Sequence, residues 1–166
     1  NFEFVLASLD TAYTEKEEND PSALTVWGVW RDESNNPKLM LMHAWEERLQ
    51  FNDLIELVTD TCIRPSVTGK PNFPVDKLLI EAKGSGISVA HELYRMWRGH
   101  GKLGIELIDP KKYGDKVSRV TSIQHLFADG MVYAPDKLWA EKVIRQCSVF
   151  PKGSHDDLVD STTMAL

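Results

Sequence analysis

Several features that would assign a chain to particular protein classes are scarce or missing among these 166 residues. The two cysteines, Cys62 and Cys147, stand far apart, so neither a disulfide framework nor a cysteine-rich metal module is indicated, and we expect reduced thiols. No apolar run approaches the length of a membrane span, and the N-terminus lacks the basic-then-apolar order of a signal peptide. We therefore expect no membrane as a partner.

An excess of positive charge is also missing, because the formal net charge is -6. This balance argues against a protein that holds nucleic acid through its overall charge, but it permits a local basic face beside an acidic metal site. Two basic patches could provide such a face, although a solvated surface is the alternative interpretation of each. They comprise Arg95, Arg98, His100 and Lys102, and then Lys111, Lys112, Lys116 and Arg119.

Internal repeats, low-complexity stretches and linkers are absent, which predicts a single domain over residues 1–166. A phosphate-binding loop of the form GxxxxGK[ST] is absent too, because "EAKGSGIS" carries its lysine before the glycines. A strand-like run directly follows Asn1, and Leu166 falls inside a helical pattern. We expect the domain to be excised from a longer protein.

What is present is a clear succession of hydrophobic patterns. Short β-branched and aromatic runs predict strands at Phe4–Leu9, Ala23–Trp30 and Lys38–Trp45, and helices and strands alternate afterwards. The order β-β-β-α-β-α-β-α is that of the ribonuclease H-like fold, although other α/β domains share parts of it. The predicted fold class is therefore α/β, a ribonuclease H-like mixed β-sheet flanked by helices. Later helices are expected to begin near Ile87, after Asp136 as an N-cap, and after Ser154 or Asp156 as an N-cap. The helix over "DKVSRVTSIQHLFADG" is expected to turn Val117, Val120, Ile123 and Phe127 inward.

Acidic residues follow two of the predicted strands. Asp10 ends the first strand, and Glu81 ends the strand after the first helix, so in this fold order the two carboxylates would be neighbours in mid-sheet. The last helix could bring Asp157 to the same point. Clustered buried carboxylates are costly without a positive partner, and a divalent cation such as Mg²⁺ prefers oxygen ligands. We predict two ions, Mg²⁺ or Mn²⁺. Asp10 would bridge them, Glu81 would hold one ion and Asp157 the other. Two metal ions held in this way can catalyse the cleavage of phosphodiesters.

The sequence leaves open which aspartate of "GSHDDLVDSTTMAL" binds metal. Asp156 and Asp160 share one helical face, whereas Asp157 is turned by about 100° from Asp156. Asp156 and Asp160 therefore remain alternative or additional ligands beside Asp157. Structural roles are the competing interpretation, since a strand-end Asp10 can form a turn and aspartates at a helix start can cap it. Glu81 follows "LLI" in a strand expected to be buried, where an unpaired glutamate is rare.

Four segments together resemble the C-terminal nuclease domain of the large terminase subunit of tailed bacteriophages. They are "SLDTAYTEKEENDPSALTVWGVW", "IEAKGSGISVAHELYR", "KVSRVTSIQHLFADGMVYAP" and "FPKGSHDDLVDSTTMAL", which keep the family's order over nearly the whole chain. The resemblance implies a ribonuclease H-like fold and metal-dependent cleavage of double-stranded DNA concatemers during genome packaging. It implies Asp10, Glu81 and Asp157 as the catalytic triad, with Asp156 close by. Many members carry an acidic residue where Ala82 stands, which leaves Glu81 as the carboxylate from that strand.

The same resemblance implies the setting of this activity. We expect an upstream ATPase domain in the same protein, the small terminase subunit, the portal and double-stranded DNA as partners, in the cytoplasm of an infected bacterium. Lys83 would approach the scissile phosphate or pair with a carboxylate, and the expected DNA contacts are Lys83, Lys111, Lys112, Lys116 and Arg119. Two alternatives stay open: a resolvase or transposase-type nuclease of the same fold, and an inactive DNA or protein docking domain.

Overall fold

A computed structural model describes residues 1–12, 20–63, 73–97 and 104–166. In these ranges six strands form one mixed sheet in the order β5-β4-β1-β2-β3-β6. The strands are β1 Phe4–Asp10, β2 Ser22–Arg31, β3 Pro37–Glu47, β4 Lys77–Glu81, β5 Gly104–Ile108 and β6 Val132–Tyr133. The helices are α1 Phe51–Cys62, α2 Gly84–Trp97, α3 Lys116–Ala128, α4 Leu138–Val149 and α5 Asp157–Ala165, with a 3₁₀ turn at Pro110–Tyr113.

Strand pairing confirms the predicted neighbourhood of the two acidic strand ends. β1 runs antiparallel to β2 and parallel to β4, and Leu9 stands opposite Ile80 in the parallel ladder. Because parallel strands end at the same edge of a sheet, the next residue on each strand lies at that edge. These residues are Asp10 and Glu81.

Helices cover both faces of the sheet. On one face α1 and α2 bury an apolar cluster with the sheet, in which Leu54, Val58 and Leu93 are fully buried. On the other face α4 and α5 pack over Trp27 and Leu41. A sheet must bury its apolar surface against another layer, so this arrangement follows from strands that are apolar on both faces.

Two helix starts differ from the prediction. α2 begins at Gly84, before the predicted Ile87, because its first turn packs directly on the end of β4: a Cβ atom at Gly86 would collide with the carbonyl oxygen of Glu81. α4 begins at Leu138 with Lys137 in the cap position, so Asp136 is not its N-cap. α5 begins at Asp157 with Asp156 in the cap position, which agrees with the predicted start.

The predicted inward face of α3 is wrong at both ends. Val117 and Phe127 are 53% and 44% exposed, and Ile123 is the buried residue of this helix. The physical reason is that α3 packs mainly on α5, so its apolar stripe is covered only at the centre. In the described ranges, no helix is long and apolar enough to cross a bilayer.

Candidate metal centre

The centre of the site is a pair of buried carboxyl groups at the ends of β1 and β4. Asp10 and Glu81 are only 8% and 6% exposed. Burial raises the pKa of Asp10 well above its usual range, the negative charges of Glu81 and Asp160 and a hydrogen bond to Glu81 raise it further, and Lys83 opposes them. Two like charges brought together in a desolvated position favour a shared proton or a bound cation.

A pair of hydroxyl groups fixes the distance between the two strand ends. Thr11 Oγ1 and Ser85 Oγ lie 2.9 Å apart, and Ser85 Oγ also donates to the carbonyl oxygen of Thr11 at 3.1 Å. Because the Ser85 proton is used on that carbonyl, the Thr11 hydroxyl is the donor in the other bond. Thr11 follows Asp10, and Ser85 lies in the first turn of α2, which follows Glu81. These two hydrogen bonds therefore join the segments that carry the two carboxylates.

α5 brings a third carboxylate, Asp160, together with basic residues from α3. The ammonium of Lys116 lies 2.6 Å from Asp160 Oδ2 and 2.5 Å from Asp156 Oδ2. Arg119 donates from its guanidinium to Asp160 Oδ1 at 3.2 Å. Among the described residues, Lys116 therefore pairs with both the N-cap Asp156 and Asp160, and Arg119 pairs with Asp160.

Asp157 is placed elsewhere on α5. Burial raises its pKa, and the nearby negative charge of Glu46 on β3 is the next cause. Asp157 does not contribute to the described lining of the groove that contains Asp10, Glu81 and Asp160. The structure thus brings together three of the predicted ligands, and the assignment of Asp157 as a ligand stays a prediction.

Glu46 itself was not singled out in the sequence. It accepts a hydrogen bond from Gln146 Nε2 at 2.8 Å and lies 2.5 Å from the ammonium of Lys142. The amide oxygen of Gln146 accepts the backbone N–H of Leu158 at 3.0 Å. This network joins β3, α4 and the first turn of α5. The available signal was a glutamate at the end of an apolar strand, the same signal that identified Glu81.

The three carboxylates open into a groove of about 590 Å³ between the β1–β4–β5 part of the sheet and the helices α3 and α5. Asp10, Glu81, Asp160 and Arg119 line it together with apolar side chains. Those apolar residues include Leu6, Leu79, Ile108, Ile123 and Leu126. The volume lies in the range of ligand sites, so the carboxylates are open to a bound group.

The donor atoms of this site fit a hard divalent cation. Carboxylate oxygens are the protein ligands that Mg²⁺ and related ions prefer. Lys83 Nζ lies 2.7 Å from the buried Glu81 Oε2, an ion-pair distance, yet within the described ranges no donor meets that oxygen with hydrogen-bond geometry. In those ranges no three acidic, histidine or cysteine side chains already stand in metal-binding geometry. A cation at Glu81 and Asp160 would compete with the basic side chains that pair with these carboxylates.

The residues predicted to contact DNA divide into two groups. Lys83, Lys116 and Arg119 are engaged with the carboxylates, so Lys83 follows the second of its two predicted alternatives, pairing with a carboxylate. Lys111 and Lys112 are exposed on the 3₁₀ turn. Of the other basic patch, Arg95 pairs with Glu92, while Arg98, His100 and Lys102 lie outside the described residues.

Comparison of the sequence finds no family model and no curated protein that matches this chain. Comparison of the structure finds the fowlpox virus Holliday junction resolvase, at 13% identity and a TM-score of 0.51, over 97% of this chain and 94% of that one. The same resolvase in complex with its substrate Holliday junction DNA aligns at 12% identity and a TM-score of 0.53, over 98% of this chain and 94% of that one. At such identity the likeness concerns the fold, and it confirms the predicted ribonuclease H-like mixed sheet flanked by helices.

Proposed function

We propose that this protein is a divalent-metal-dependent endonuclease that acts on DNA. The observation that carries the proposal is the buried pair of Asp10 and Glu81 on adjacent strand ends, which faces an open groove together with Asp160. Burying like charges is costly, and a purely structural role does not require them to face a groove. A carboxyl group whose pKa is raised by burial and by neighbouring negative charge, as that of Asp10 is, is characteristic of functional sites when it lies in a cleft.

In this proposal the acidic residues bind the cation and the basic residues balance charge. Asp10, Glu81 and Asp160 hold the cation, with Asp156 and Asp157 as further candidates, and Mg²⁺ or Mn²⁺ suits their oxygen atoms. When bound there, one or two such ions supply Lewis-acid polarisation of the phosphodiester and activation of water. Lys83, Lys116 and Arg119 keep the carboxylates neutralised without the cation and bring positive charge to the phosphate once the carboxylates are engaged.

The substrate that the sequence resemblance supports is double-stranded DNA. In this proposal the protein cuts viral concatemers during genome packaging, by a two-metal mechanism, in the cytoplasm of the infected bacterium. Its partners are an upstream ATPase domain, the small terminase subunit and the portal. Phosphate contacts from Lys111 and Lys112 would position the duplex without selecting a sequence.

Branched DNA is the second candidate substrate. The alignment of nearly the whole chain with a structure of a resolvase bound to Holliday junction DNA favours this alternative. The two proposals share the same carboxylates and differ in the DNA that the groove accepts. Cleavage rates on a four-way junction and on a linear duplex of the same sequence distinguish them.

The first experiment is cleavage of supercoiled plasmid, linear duplex and four-way junction in Mn²⁺, Mg²⁺ or EDTA, beside the Asp10→Asn variant. We expect metal-dependent cutting that the substitution lowers by at least about a hundredfold, because one of the two buried carboxylates at the strand ends is lost. Cutting that persists in Asp10→Asn would place the activity at another site. A folded protein that cuts none of the three substrates in either metal would contradict the proposal and favour the docking domain.

A further inference from the structure

A buried chain of hydrogen bonds ties α5 to the sheet directly behind the carboxylates. Trp27 Nε1 donates to Thr25 Oγ1 at 2.9 Å, Thr25 Oγ1 and Ser161 Oγ lie 2.8 Å apart, and Ser161 Oγ donates to the carbonyl oxygen of Ser8 at 2.8 Å. Each hydroxyl has one proton to donate. Since the Ser161 proton is used on Ser8, the Thr25 hydroxyl donates to Ser161, and the chain runs in one direction from β2 through α5 to β1.

The position of this chain relates it to the carboxylates. Ser161 directly follows Asp160 on α5, and Ser8 lies two residues before Asp10 on β1. Thr25, Ser161 and Ser8 are all fully buried. The bond from Ser161 to Ser8 is therefore a direct polar link between the element that carries Asp160 and the element that carries Asp10.

Apolar packing alone does not fix how α5 sits on the sheet. Leu158 and Val159 are buried, and Leu158 packs with Trp27 of the sheet, but hydrophobic contact is non-directional and permits small slides and rotations. A hydrogen bond has preferred distances and angles, so it selects one axial position and one rotation of the helix. The Ser161 hydroxyl supplies this selection one residue away from Asp160.

We propose that Ser161 is a positioning residue for the metal centre: its hydrogen bond to the Ser8 carbonyl sets α5 on β1 so that the Asp160 carboxylate converges with Asp10 and Glu81. This inference rests on the proposed function, because it takes Asp160 as a ligand. Groups that orient ligands are worth about 10- to 100-fold in metal affinity. Ser161 acts through backbone placement and does not contact the cation.

The test measures Mn²⁺ affinity by titration calorimetry and the thermal midpoint of the metal-free protein. Ser161→Ala removes the link to Ser8 and is expected to weaken Mn²⁺ binding by about 10- to 100-fold. Thr25→Val is the matched control: it breaks the same buried chain and leaves the Trp27 N–H without its acceptor, but keeps the bond from Ser161 to Ser8. We expect it to lower the midpoint at least as much as Ser161→Ala while leaving the Mn²⁺ affinity within about twofold of the unchanged protein.

Two further variants complete the design. Thr162→Val removes a neighbouring buried hydroxyl outside this chain and should also retain Mn²⁺ affinity. If Ser161→Ala does not fold, Ser161→Cys replaces it, because the thiol has similar bulk and only a weak S–H donor, and a clear loss of affinity is again expected.

The outcomes separate this inference from the proposed function. Unchanged Mn²⁺ affinity in the Ser161 variant, or an equal loss in Thr25→Val, would overturn the positioning role. Asp160→Asn is measured beside them to test the site itself. If Asp160→Asn retains full affinity, Asp160 is not a ligand and the proposed centre fails. If Asp160→Asn loses affinity and the Ser161 variant does not, only the positioning role fails.

Discussion

Lys116 on α3 bridges two aspartates of α5, with its ammonium 2.5 Å from Asp156 Oδ2 and 2.6 Å from Asp160 Oδ2. The acidic start of α5 is therefore compatible with a stable helix because a neighbouring helix supplies the counter-charge. The same contacts raise the pKa of Lys116 against the opposing effect of its burial. A cation that binds Asp160 has to compete with this lysine.

Lys116→Met is expected to strengthen Mn²⁺ binding and to weaken the metal-free fold. The substitution removes the competitor for Asp160 and leaves two aspartates with less counter-charge, so the free energy of unfolding in EDTA should fall by about 1 kcal/mol. Calorimetric titration and urea denaturation measure the two effects. Lys112→Met, at an exposed position, is the control and should change neither. Weaker Mn²⁺ binding in Lys116→Met would contradict the competition.

Asp160→Asn and Asp157→Asn distinguish the two candidate ligands of α5. The structure places Asp160 with Asp10 and Glu81 in the groove and Asp157 beside Glu46. We expect Asp160→Asn to weaken Mn²⁺ binding by about tenfold or more and Asp157→Asn to have the smaller effect. Titrations and cleavage rates on the same preparations measure this order, and the reverse order would restore Asp157 as the ligand predicted from the sequence.

The contribution of Asp10 to the stability of the metal-free protein should decrease as the pH rises above about 4, the range in which carboxyl groups ionise in an unfolded chain. The folded pKa of Asp10 is raised, so the folded state binds more protons than the unfolded state in this window, and its stability falls until the pH passes the folded pKa. The raised pKa of Asp157 acts in the same direction.

Asp10→Asn removes this contribution because the amide does not ionise. The variant should therefore be more stable than the unchanged protein at pH 7 in EDTA, although it loses activity. Urea denaturation between pH 4 and pH 8 measures the difference. If the free energy of unfolding changes with pH in the same way for the two proteins, the ionisation of Asp10 does not lower the stability of the folded state, and the prediction is wrong.

Gly86→Ala should destabilise the protein by about 1–3 kcal/mol, because the added Cβ meets the carbonyl oxygen of Glu81 and forces α2 away from β4. Gly84→Ala is a matched control in the same helix turn, where a Cβ would have no neighbour within 4 Å. That control should be neutral or slightly stabilising, since alanine favours a helix more than glycine does. Thermal unfolding of both variants tests the contrast, which would be absent if the end of β4 could shift without cost.

The sequence by itself determined the succession of strands and helices and the placement of Asp10 and Glu81. Both residues end apolar runs that are long enough for a buried strand and too short for a helix, and the strand order then makes them neighbours. The carboxylate pair of the candidate site could therefore be predicted from local patterns and the expected topology.

Only the tertiary structure decided which residues surround that pair. On a helix each residue is rotated by about 100° from the last. Which aspartate at the start of α5 faces the carboxylate pair therefore depends on the rotation and axial position of the helix on the sheet. The pairing of Lys116 and Arg119 with Asp160 joins α3 to α5, and the link from Ser161 to Ser8 spans almost the whole chain. Such contacts depend on how elements pack and leave no periodic signal in the sequence, which is also why the exposed ends of α3 were predicted wrongly.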